Sequence, residues 1–366
     1  EIVIQSRPKN LTDVHRWPWY PSAMQNYSVL DLSPVTQGST PRQALQNSLD
    51  LARAAERFGF NRYWVAEHHN MRGIASAATA VVIGYIAGGT NTIRVGSGGI
   101  MLPNHAPLVI AEQFGTLASL YPDRIDLGLG RAPGTDQVTA HALRRTLTGN
   151  VDDFPRDVVE LQHYLKDPEK GQRVVAVPGA GTHVPLWILG SSLFGAQLAA
   201  MLGLPFAFAS HFAPGYMTAA IDLYRTQFKP SEQLDAPYLM LGLNICAADT
   251  DDEAHFLRSS SIQSFLNSRK GLPGQLPPPV ADLSSQLTAV DREILATMSS
   301  VSTVGSLATI KRDMAAFLEK TDADELMLVC SIYDHGKRVR AFEIAAEAAR
   351  SLLFDHHLAD DLAIDQ

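Results

Sequence analysis

The residues best suited to chemistry lie in short clusters, each of which follows a run of apolar residues. The first cluster is Glu67-His68-His69-Asn70. Histidine is the side chain whose charge changes nearest neutral pH, so an imidazole here could donate or accept a proton. Hydrogen bonding that fastens a loop is the alternative role. We expect no metal, because a catalytic zinc site usually takes three protein ligands and Asp31-Leu32-Ser33 supplies no further histidine.

Glycines dominate the second cluster, which runs from Val95 to Ile100 as VGSGGI. It does not match the dinucleotide-binding fingerprint, and the segment Pro103–Pro107 separates it from the next predicted helix. Adjacent glycines let the backbone approach a flat ligand or adopt a conformation that a Cβ atom forbids. We therefore interpret Gly98 and Gly99 as a candidate ligand-binding segment. A simple tight bend is the alternative.

Two further clusters carry groups that bind anions. Arg131 lies among small residues in the run GLGRAPG, and a guanidinium there is suited to forking onto a phosphate. Gly190-Ser191-Ser192 opens a predicted helix, whose first N–H groups and positive dipole end attract negative charge. A surface ion pair for Arg131 and ordinary N-capping by either serine are the alternatives. Together the two clusters predict one phosphate site.

Two more polar pairs follow apolar runs nearer the carboxyl terminus. Ser210-His211 follows the sixth run, and we expect both residues to join the same site. Asp334-His335 follows the eighth run and is also a candidate, although a surface turn explains it more simply.

These clusters must be positioned by the elements that precede them. The sequence predicts eight short, mostly apolar strands alternating with helices, which is typical of a (β/α)₈ TIM barrel of the α/β class. The carboxyl ends of barrel strands meet at one face, so the separate clusters would converge there. A doubly wound open sheet is the main alternative. The predicted strands are Tyr27–Leu32, Arg62–Glu67, Ile93–Gly98, Arg124–Gly130, Pro185–Gly190, Pro205–Ser210, Tyr238–Ala247 and Glu325–Ser331. The predicted helices are Pro41–Phe58, Ser76–Gly88, Pro107–Leu120, Asp153–Leu165, Ser192–Leu202, Pro214–Phe228, Ser306–Glu319 and Lys337–Leu353.

One barrel domain is predicted over residues 24–356, with an extension over residues 1–23 and a tail over residues 357–366. Two excursions interrupt the domain. Residues 132–152 and 167–183 flank the fourth helix, and residues 249–303 follow the seventh strand. Long, proline- and glycine-rich excursions from a compact barrel are more often functional lids than structural necessities. We therefore expect residues 249–303 to form a mobile lid.

The composition bears on the partners and the location of the protein. The net charge of −8 argues against nucleic acid and anionic membranes as partners, because both select positive surfaces. No apolar stretch reaches the roughly 18 residues that span a bilayer, and residues 1–23 lack the pattern of a signal peptide. Cys246 and Cys330 lie in apolar runs, which indicates buried thiols in a reducing compartment. We expect a cytoplasmic protein that acts on a small molecule.

The clusters together resemble the bacterial luciferase-like flavin-dependent monooxygenases, in the alkanal-monooxygenase-like branch. The resemblance covers about residues 27–350 and rests on motifs that occur in the family's order: Glu67-His68-His69, Val95–Gly99 through Leu102-Pro103, Gly128–Arg131, Gly190-Ser191-Ser192 and Gly203-Leu204-Pro205.

This resemblance implies FMN as the cofactor, with its phosphate held by Arg131, Ser191 and Ser192 beside Gly190 and its ring against a non-proline cis peptide at Gly98–Gly99. It also implies acid/base help from His68. Reduced FMN would come from a separate flavin reductase, the lid would be residues 249–303, and the early helices would form a homodimer.

Some residues depart from the luciferases. Those proteins have a cysteine where this chain has Gly130, an acidic residue at the position of Ser191, and alanines at Gly98 and Gly99. The departures put light emission in doubt and leave the phosphate site intact.

The expected function is a monooxygenase that uses reduced FMN and O₂ to oxygenate a small organic substrate. His68, His69 and His211 are the candidate catalytic residues, and Ser210 joins the cofactor site. A deazaflavin-dependent dehydrogenase and a non-catalytic flavin carrier are the alternatives. A flavin-free isomerase or aldolase is a third, which the scarcity of lysine near strand ends disfavours.

Overall fold

The computed structural model describes residues 26–132, 137–143 and 151–364. The predicted extension over residues 1–23 lies outside the described residues, as do parts of the excursion over residues 132–152.

The strands close into a parallel barrel, which confirms the predicted (β/α)₈ fold. The order runs from β1 to β7 in sequence, and β9 then lies between β7 and β1. Neighbouring strands are parallel throughout. The strands are β1 Asn26–Asp31, β2 Arg62–Val65, β3 Arg94–Met101, β4 Ile125–Gly130, β5 Leu186–Gly190, β6 Phe206–Phe208, β7 Leu239–Ala247, β8 Ser302–Gly305 and β9 Glu325–Val329.

Strand β8 was not predicted from the sequence. It pairs with the last residues of β7, Asn244 to Ala247, while the earlier part of β7 pairs with β6 and β9. The β7–β8 pair therefore extends beyond the barrel at its carboxyl end. A strand of four residues at the end of a proline-rich excursion shows too few alternations to be recognised by pattern.

The helices lie between the strands, close to their predicted bounds. Thr40 caps α1 by accepting a hydrogen bond from the Gln43 N–H, and Gly59 ends the helix in the left-handed conformation. The last helix continues to Ile364, beyond its predicted end at Leu353. None of the described helices is both long and apolar enough to cross a membrane. The helices are α1 Pro41–Phe58, α2 Thr79–Gly88, α3 Pro107–Leu120, α4 Gln137–Leu143, α5 Phe154–Leu165, α6 Leu193–Leu202, α7 Met217–Gln227, α8 Asp251–Arg269, α9 Ala289–Ser299, α10 Leu307–Thr321 and α11 His335–Ile364.

The excursion after β7 contains helices α8 and α9, which the sequence analysis did not predict. Leu276 exchanges backbone hydrogen bonds with the segment after β1, donating to the Val35 carbonyl and accepting from the Gln37 N–H. Gly274 packs so closely on the loop after β2 that a Cβ atom on Gly73 would lie 2.2 Å from the Gly274 carbonyl oxygen. The excursion therefore crosses from β7 to the loops that follow β1 and β2.

Buried ion pairs fill the amino-terminal end of the barrel. Arg62 Nη1 lies 2.7 Å from Asp126 Oδ2, and Arg62 Nε lies 2.8 Å from Glu325 Oε1. Trp64 donates to Asp126, and Trp187 packs under the Arg62 guanidinium, so both tryptophans are core residues. Since Arg62 and Glu325 begin their strands, this packing leaves the carboxyl end of the barrel as the place for a ligand.

Candidate active site

A buried carboxylate organises the end of β2. Glu67 accepts hydrogen bonds from the Met101 N–H at 2.9 Å and from Asn104 Nδ2 at 3.2 Å. His69 Nε2 lies 2.7 Å and His105 Nε2 lies 2.9 Å from Glu67 Oε1. One carboxylate therefore ties the histidine cluster to the segment that follows the glycines of β3.

The surroundings of Glu67 keep it charged. Burial acts to raise the pKa of Glu67. The hydrogen bond and charge of His105, together with the hydrogen bonds from His69 and the Met101 N–H, outweigh burial and bring the pKa below its usual value. The sequence analysis chose His69 as a catalytic candidate. The His69 Nε2 atom is hydrogen-bonded to Glu67, so Glu67 sets the orientation of the His69 ring. A catalytic role for His69 stays a prediction.

The glycines of the second cluster lie where β3 and β4 approach each other closely. The peptide bond between Gly98 and Gly99 is cis, at the position that the sequence resemblance implies. A Cβ atom on Gly98 would lie 2.6 Å from Leu30 Cδ1, and one on Gly99 would lie 2.8 Å from the Gly128 carbonyl oxygen. The barrel wall itself therefore requires glycine at position 99, where the neighbour is backbone, and a Cβ atom on Gly98 would force the Leu30 side chain to move.

Arg131 lies beside the start of α6. Its guanidinium carbon is 4.1 Å from the centre of the Phe194 ring, and Phe194 belongs to the first turn of that helix. Ser192 occupies the N-cap position with extended backbone, but its side chain makes no capping hydrogen bond. Gly190 packs against Gly195, where a Cβ atom would be only 3.3 Å from the Gly195 Cα atom. A guanidinium therefore lies at the amino-terminal turn of a helix that two serines precede, which is a combination that can bind an anion.

Ser210 and His211 lie at the end of β6, against β7. Ser210 Oγ donates to the Gly242 carbonyl at 2.6 Å, so this hydroxyl is used within the barrel wall. Its predicted role in cofactor binding stays a prediction. The His211 ring lies flush with Gly242, since a Cβ atom there would be 2.0 Å from His211 Nδ1. Asn244 Nδ2 donates to the His211 carbonyl at 2.8 Å and fixes the backbone beneath the ring.

His211 and His68 interact electrostatically. Burial is the larger cause and the charge of His68 is the smaller one, and together they lower the pKa of His211 to about 4. Strands β2 and β6 stand opposite each other, with β3, β4 and β5 between them on one side and β1, β9 and β7 on the other. Two histidines from opposite strands can influence each other in this way when both project into the mouth of the barrel.

The polar pair after β9 does not join the site. His335 Nε2 lies 2.8 Å from Asp50 Oδ2 of α1, outside the barrel, which agrees with its interpretation as a surface feature. Asp31, at the end of β1, is fully buried in an ion pair with Arg338 of α11 at 2.6 Å.

Comparison with known protein families identifies the family to which this chain belongs. A family model described as luciferase-like monooxygenase matches residues 26–325. This chain belongs to the luciferase-like monooxygenase family. Membership supports an oxidoreductase, in agreement with the sequence resemblance.

Several relatives are similar over most of their length. A luciferase-like monooxygenase of Escherichia coli (strain K12) is 53% identical over 327 residues, which cover 89% of this chain and 98% of the relative. The apo crystal structure of MsnO8 is 36% identical with a TM-score of 0.79, over 88% of this chain and 98% of that one. The N-acetyl-S-alkylcysteine monooxygenase of Bacillus subtilis (strain 168) is 36% identical over 253 residues, which cover 66% of this chain and 74% of the relative.

The candidate site of this member of the luciferase-like monooxygenase family also includes residues that the sequence analysis missed. His105 shares Glu67 with His69, while Gly242 and Asn244 seat His211. Only the run Pro103–Pro107 gave a signal for His105, as a polar loop after a strand. Gly242 and Asn244 lie inside an apolar strand prediction, where nothing in the local sequence marks a contact with a residue about 30 positions earlier.

Proposed function

We propose that this protein is an FMN-dependent monooxygenase that uses reduced flavin and O₂ to oxygenate a small organic substrate. The observation that carries the proposal is the stacking of Arg131 on Phe194 in the first turn of α6, the helix that Ser191 and Ser192 directly precede. A terminal phosphate suits this group, because a guanidinium, hydroxyls and helix N–H groups all favour a dianion.

The neighbouring strands supply a place for the flavin ring. Gly98 and Gly99 lie within β3, which pairs with β4, and β4 leads into Arg131. The two proposed parts of the site are therefore adjacent around the barrel. Because Gly98 and Gly99 carry no side chains, we propose that the flavin ring lies against their backbone. Reduced FMN, when bound, supplies the electrons with which O₂ is activated.

The histidines of the mouth hold and orient protons at the substrate. With a pKa of about 4, His211 is neutral near pH 7 and presents a hydrogen-bonding imidazole rather than a cation. We assign proton transfer at the reacting group to His68, from the opposite strand, since its family position and its place in the mouth both suit general acid/base work. Glu67 acts indirectly, as a positioning residue that holds the loop after β2 against β3.

The partners proposed for this enzyme are a separate flavin reductase and a second copy of the chain. Helices α2 and α3 expose apolar side chains on neighbouring surfaces, notably Val81, Tyr85, Val109 and Leu120. Large exposed apolar surfaces of this kind favour a protein interface. Both cysteines are free and buried, which supports the reducing, cytoplasmic location proposed from the sequence.

The test is reconstitution of the purified chain with FMN and, in parallel, with a deazaflavin. We expect binding of FMN, and O₂ consumption that depends on both a flavin reductase and an organic substrate such as an aldehyde or a thioether. Product that carries oxygen from labelled O₂ would establish the monooxygenase. Hydride transfer from an alcohol to the deazaflavin without O₂ would establish the dehydrogenase instead, and FMN binding without turnover on a broad panel would favour a carrier.

Replacing His68 separates chemistry from cofactor binding in the same assay. In His68→Ala, turnover is expected to fall by about 10²–10⁴-fold, the usual contribution of a positioned acid or base, while FMN affinity stays close to normal. If turnover and FMN affinity fell together, the catalytic assignment of His68 would be wrong.

A further inference from the structure

Helix α8 carries a buried arginine, Arg258, that has no carboxylate partner among the residues that the structure describes. Only 9% of Arg258 is exposed, and its Nη2 makes one long hydrogen bond, 3.3 Å, to Ser302 Oγ. Within residues 26–132, 137–143 and 151–364, no carboxylate lies within ion-pair distance of this guanidinium. Burial lowers its pKa, and the nearby thiols of Cys246 and Cys330 act in the opposite sense.

The other deeply buried arginines of the described residues are each paired with a carboxylate, including Arg94 with Asp126. Arg62 contacts Asp126 and Glu325, and Arg338 contacts Asp31 at 2.6 Å. A buried charge without a counter-ion destabilises a folded protein, which is why such charges are normally paired. Arg258 departs from the pattern that the same chain follows elsewhere.

The register of β7 and β8 shows which side of the sheet Arg258 occupies. Asn244 and Ser302 are paired, so their side chains project from the same face. Asn244 donates from that face to the His211 carbonyl, which places it on the side of the barrel mouth. The next residue, Thr303, projects from the opposite face and donates to Asp313 of α10, outside the barrel.

Helix α8 therefore lies on the mouth side of the β7–β8 pair. Arg258 reaches Ser302 on this face, and Cys246, two residues beyond Asn244, donates to the Ala254 carbonyl in the first turn of α8. The Arg258 guanidinium therefore lies on the same face as Asn244, and the Asn244–Ser302 pair stands between it and His211. This is the side of the barrel on which the proposed reaction would occur.

We propose that Arg258 binds a carboxylate group of the substrate, so that the enzyme selects small organic acids. A guanidinium with a neighbouring hydroxyl matches the single negative charge and paired oxygens of a carboxylate. The inference rests on the proposed function, because it takes the mouth of the barrel as the reaction site. The phosphate of the cofactor is assigned to Arg131, so the two arginines serve different anions.

Thermal unfolding of the full chain with simple carboxylates tests this assignment. Butyrate and benzoate are compared with butyramide and benzamide, with ionic strength held constant by sodium chloride. The two carboxylates should raise the Tm of the natural protein in a concentration-dependent way, and the two amides should not. This stabilisation should be lost in Arg258→Met and kept in Arg269→Met, which changes an exposed arginine of the same helix. It should also be kept in Arg131→Met, which removes the guanidinium of the phosphate site.

A second readout separates binding from a structural role. If Arg258 is held for a ligand, Arg258→Met should have a higher Tm than the natural protein without carboxylate, because an uncompensated buried charge has been removed. A lower Tm, or carboxylate stabilisation that persists in Arg258→Met, would overturn the assignment. Should that variant not fold, Arg258→Lys keeps the charge without the planar fork, and it must show a weaker carboxylate effect than the natural protein for the assignment to stand.

The same samples distinguish failure of this inference from failure of the proposed function. If the natural protein binds FMN normally but carboxylates do not raise its Tm, only the role proposed for Arg258 is wrong. Absence of FMN binding removes the proposed function.

Discussion

The guanidinium carbon of Arg131 lies 4.1 Å from the centre of the Phe194 ring, so a residue after β4 is stacked on the helix that follows β5. Arginine stacks on an aromatic face while its N–H groups remain directed sideways, where they can bind a phosphate. On the proposed function, the stacking therefore holds the Arg131 guanidinium ready for the phosphate of the cofactor.

Arg131→Met is expected to weaken FMN binding more than any other single change at the mouth. Hydrogen bonds to a charged group contribute about 1.5–3 kcal/mol each, which corresponds to a loss of affinity of roughly 10- to 150-fold. Fluorescence titration of the apo protein with FMN measures the change. Arg57→Met, at the exposed end of α1, is the control. Equal affinities of the two variants would show that the phosphate lies elsewhere.

Gly242→Ala is expected to impair turnover with little effect on FMN affinity. The added methyl group would lie 2.0 Å from His211 Nδ1, so the ring must leave its seat. Gly215→Ala is a matched control, because nothing lies within 4 Å of a Cβ atom at that position. Oxygen uptake under substrate saturation, beside an FMN titration, separates the two effects. Unchanged turnover in Gly242→Ala would show that His211 does not contribute to the reaction.

Gly98 and Gly242 show which parts of the candidate site could be predicted from the sequence and which could not. Gly98 was predicted because it stands in a glycine-rich run at a strand end, a local signal. Gly242 is flanked by leucines within β7. It matters only because the pairing of β6 with β7 brings the His211 ring against it. The barrel strands and most helices were predictable for the same reason as Gly98, since short-range pattern determines them. Helix α8, strand β8 and the isolation of Arg258 depend on tertiary packing, which short-range pattern does not encode.

Glu67→Gln is expected to destabilise the fold by about 2 kcal/mol, because an amide cannot accept from every donor that now surrounds the carboxylate. Those donors are the Met101 N–H, Asn104, His69 and His105. Glu319→Gln, an exposed change on α10, should have little effect. Urea unfolding near pH 7 measures both. A Glu67→Gln variant as stable as the control would mean that the cluster does not depend on the charge.

Asp126→Asn is expected to destabilise the protein further, by about 3–5 kcal/mol, because Arg94 loses the carboxylate that it contacts and Arg62 keeps only Glu325. Asp126 contacts both Arg62 and Arg94, and it is 1% exposed. Asp222→Asn, on the exposed side of α7, is the control. Since Asp126 lies at the amino-terminal end of the barrel, the folded variant should bind FMN nearly normally. A loss of stability no larger than in the control would contradict the assigned role of these ion pairs.

His211 is expected to make the protein less stable as the pH falls. Its pKa is about 4 in the folded state, whereas an unperturbed histidine titrates near 6.5. Between these values the unfolded chain binds a proton that the folded chain excludes, so the free energy of unfolding decreases as the pH falls from about 6.5 towards 4. His211→Gln removes this contribution and should therefore lose less stability over that interval than the natural protein. His163→Gln, on the exposed face of α5, should behave as the natural protein does. Urea unfolding at about pH 6.5 and about pH 5 compares the three proteins, and parallel losses in all of them would show that His211 is not held neutral by the fold.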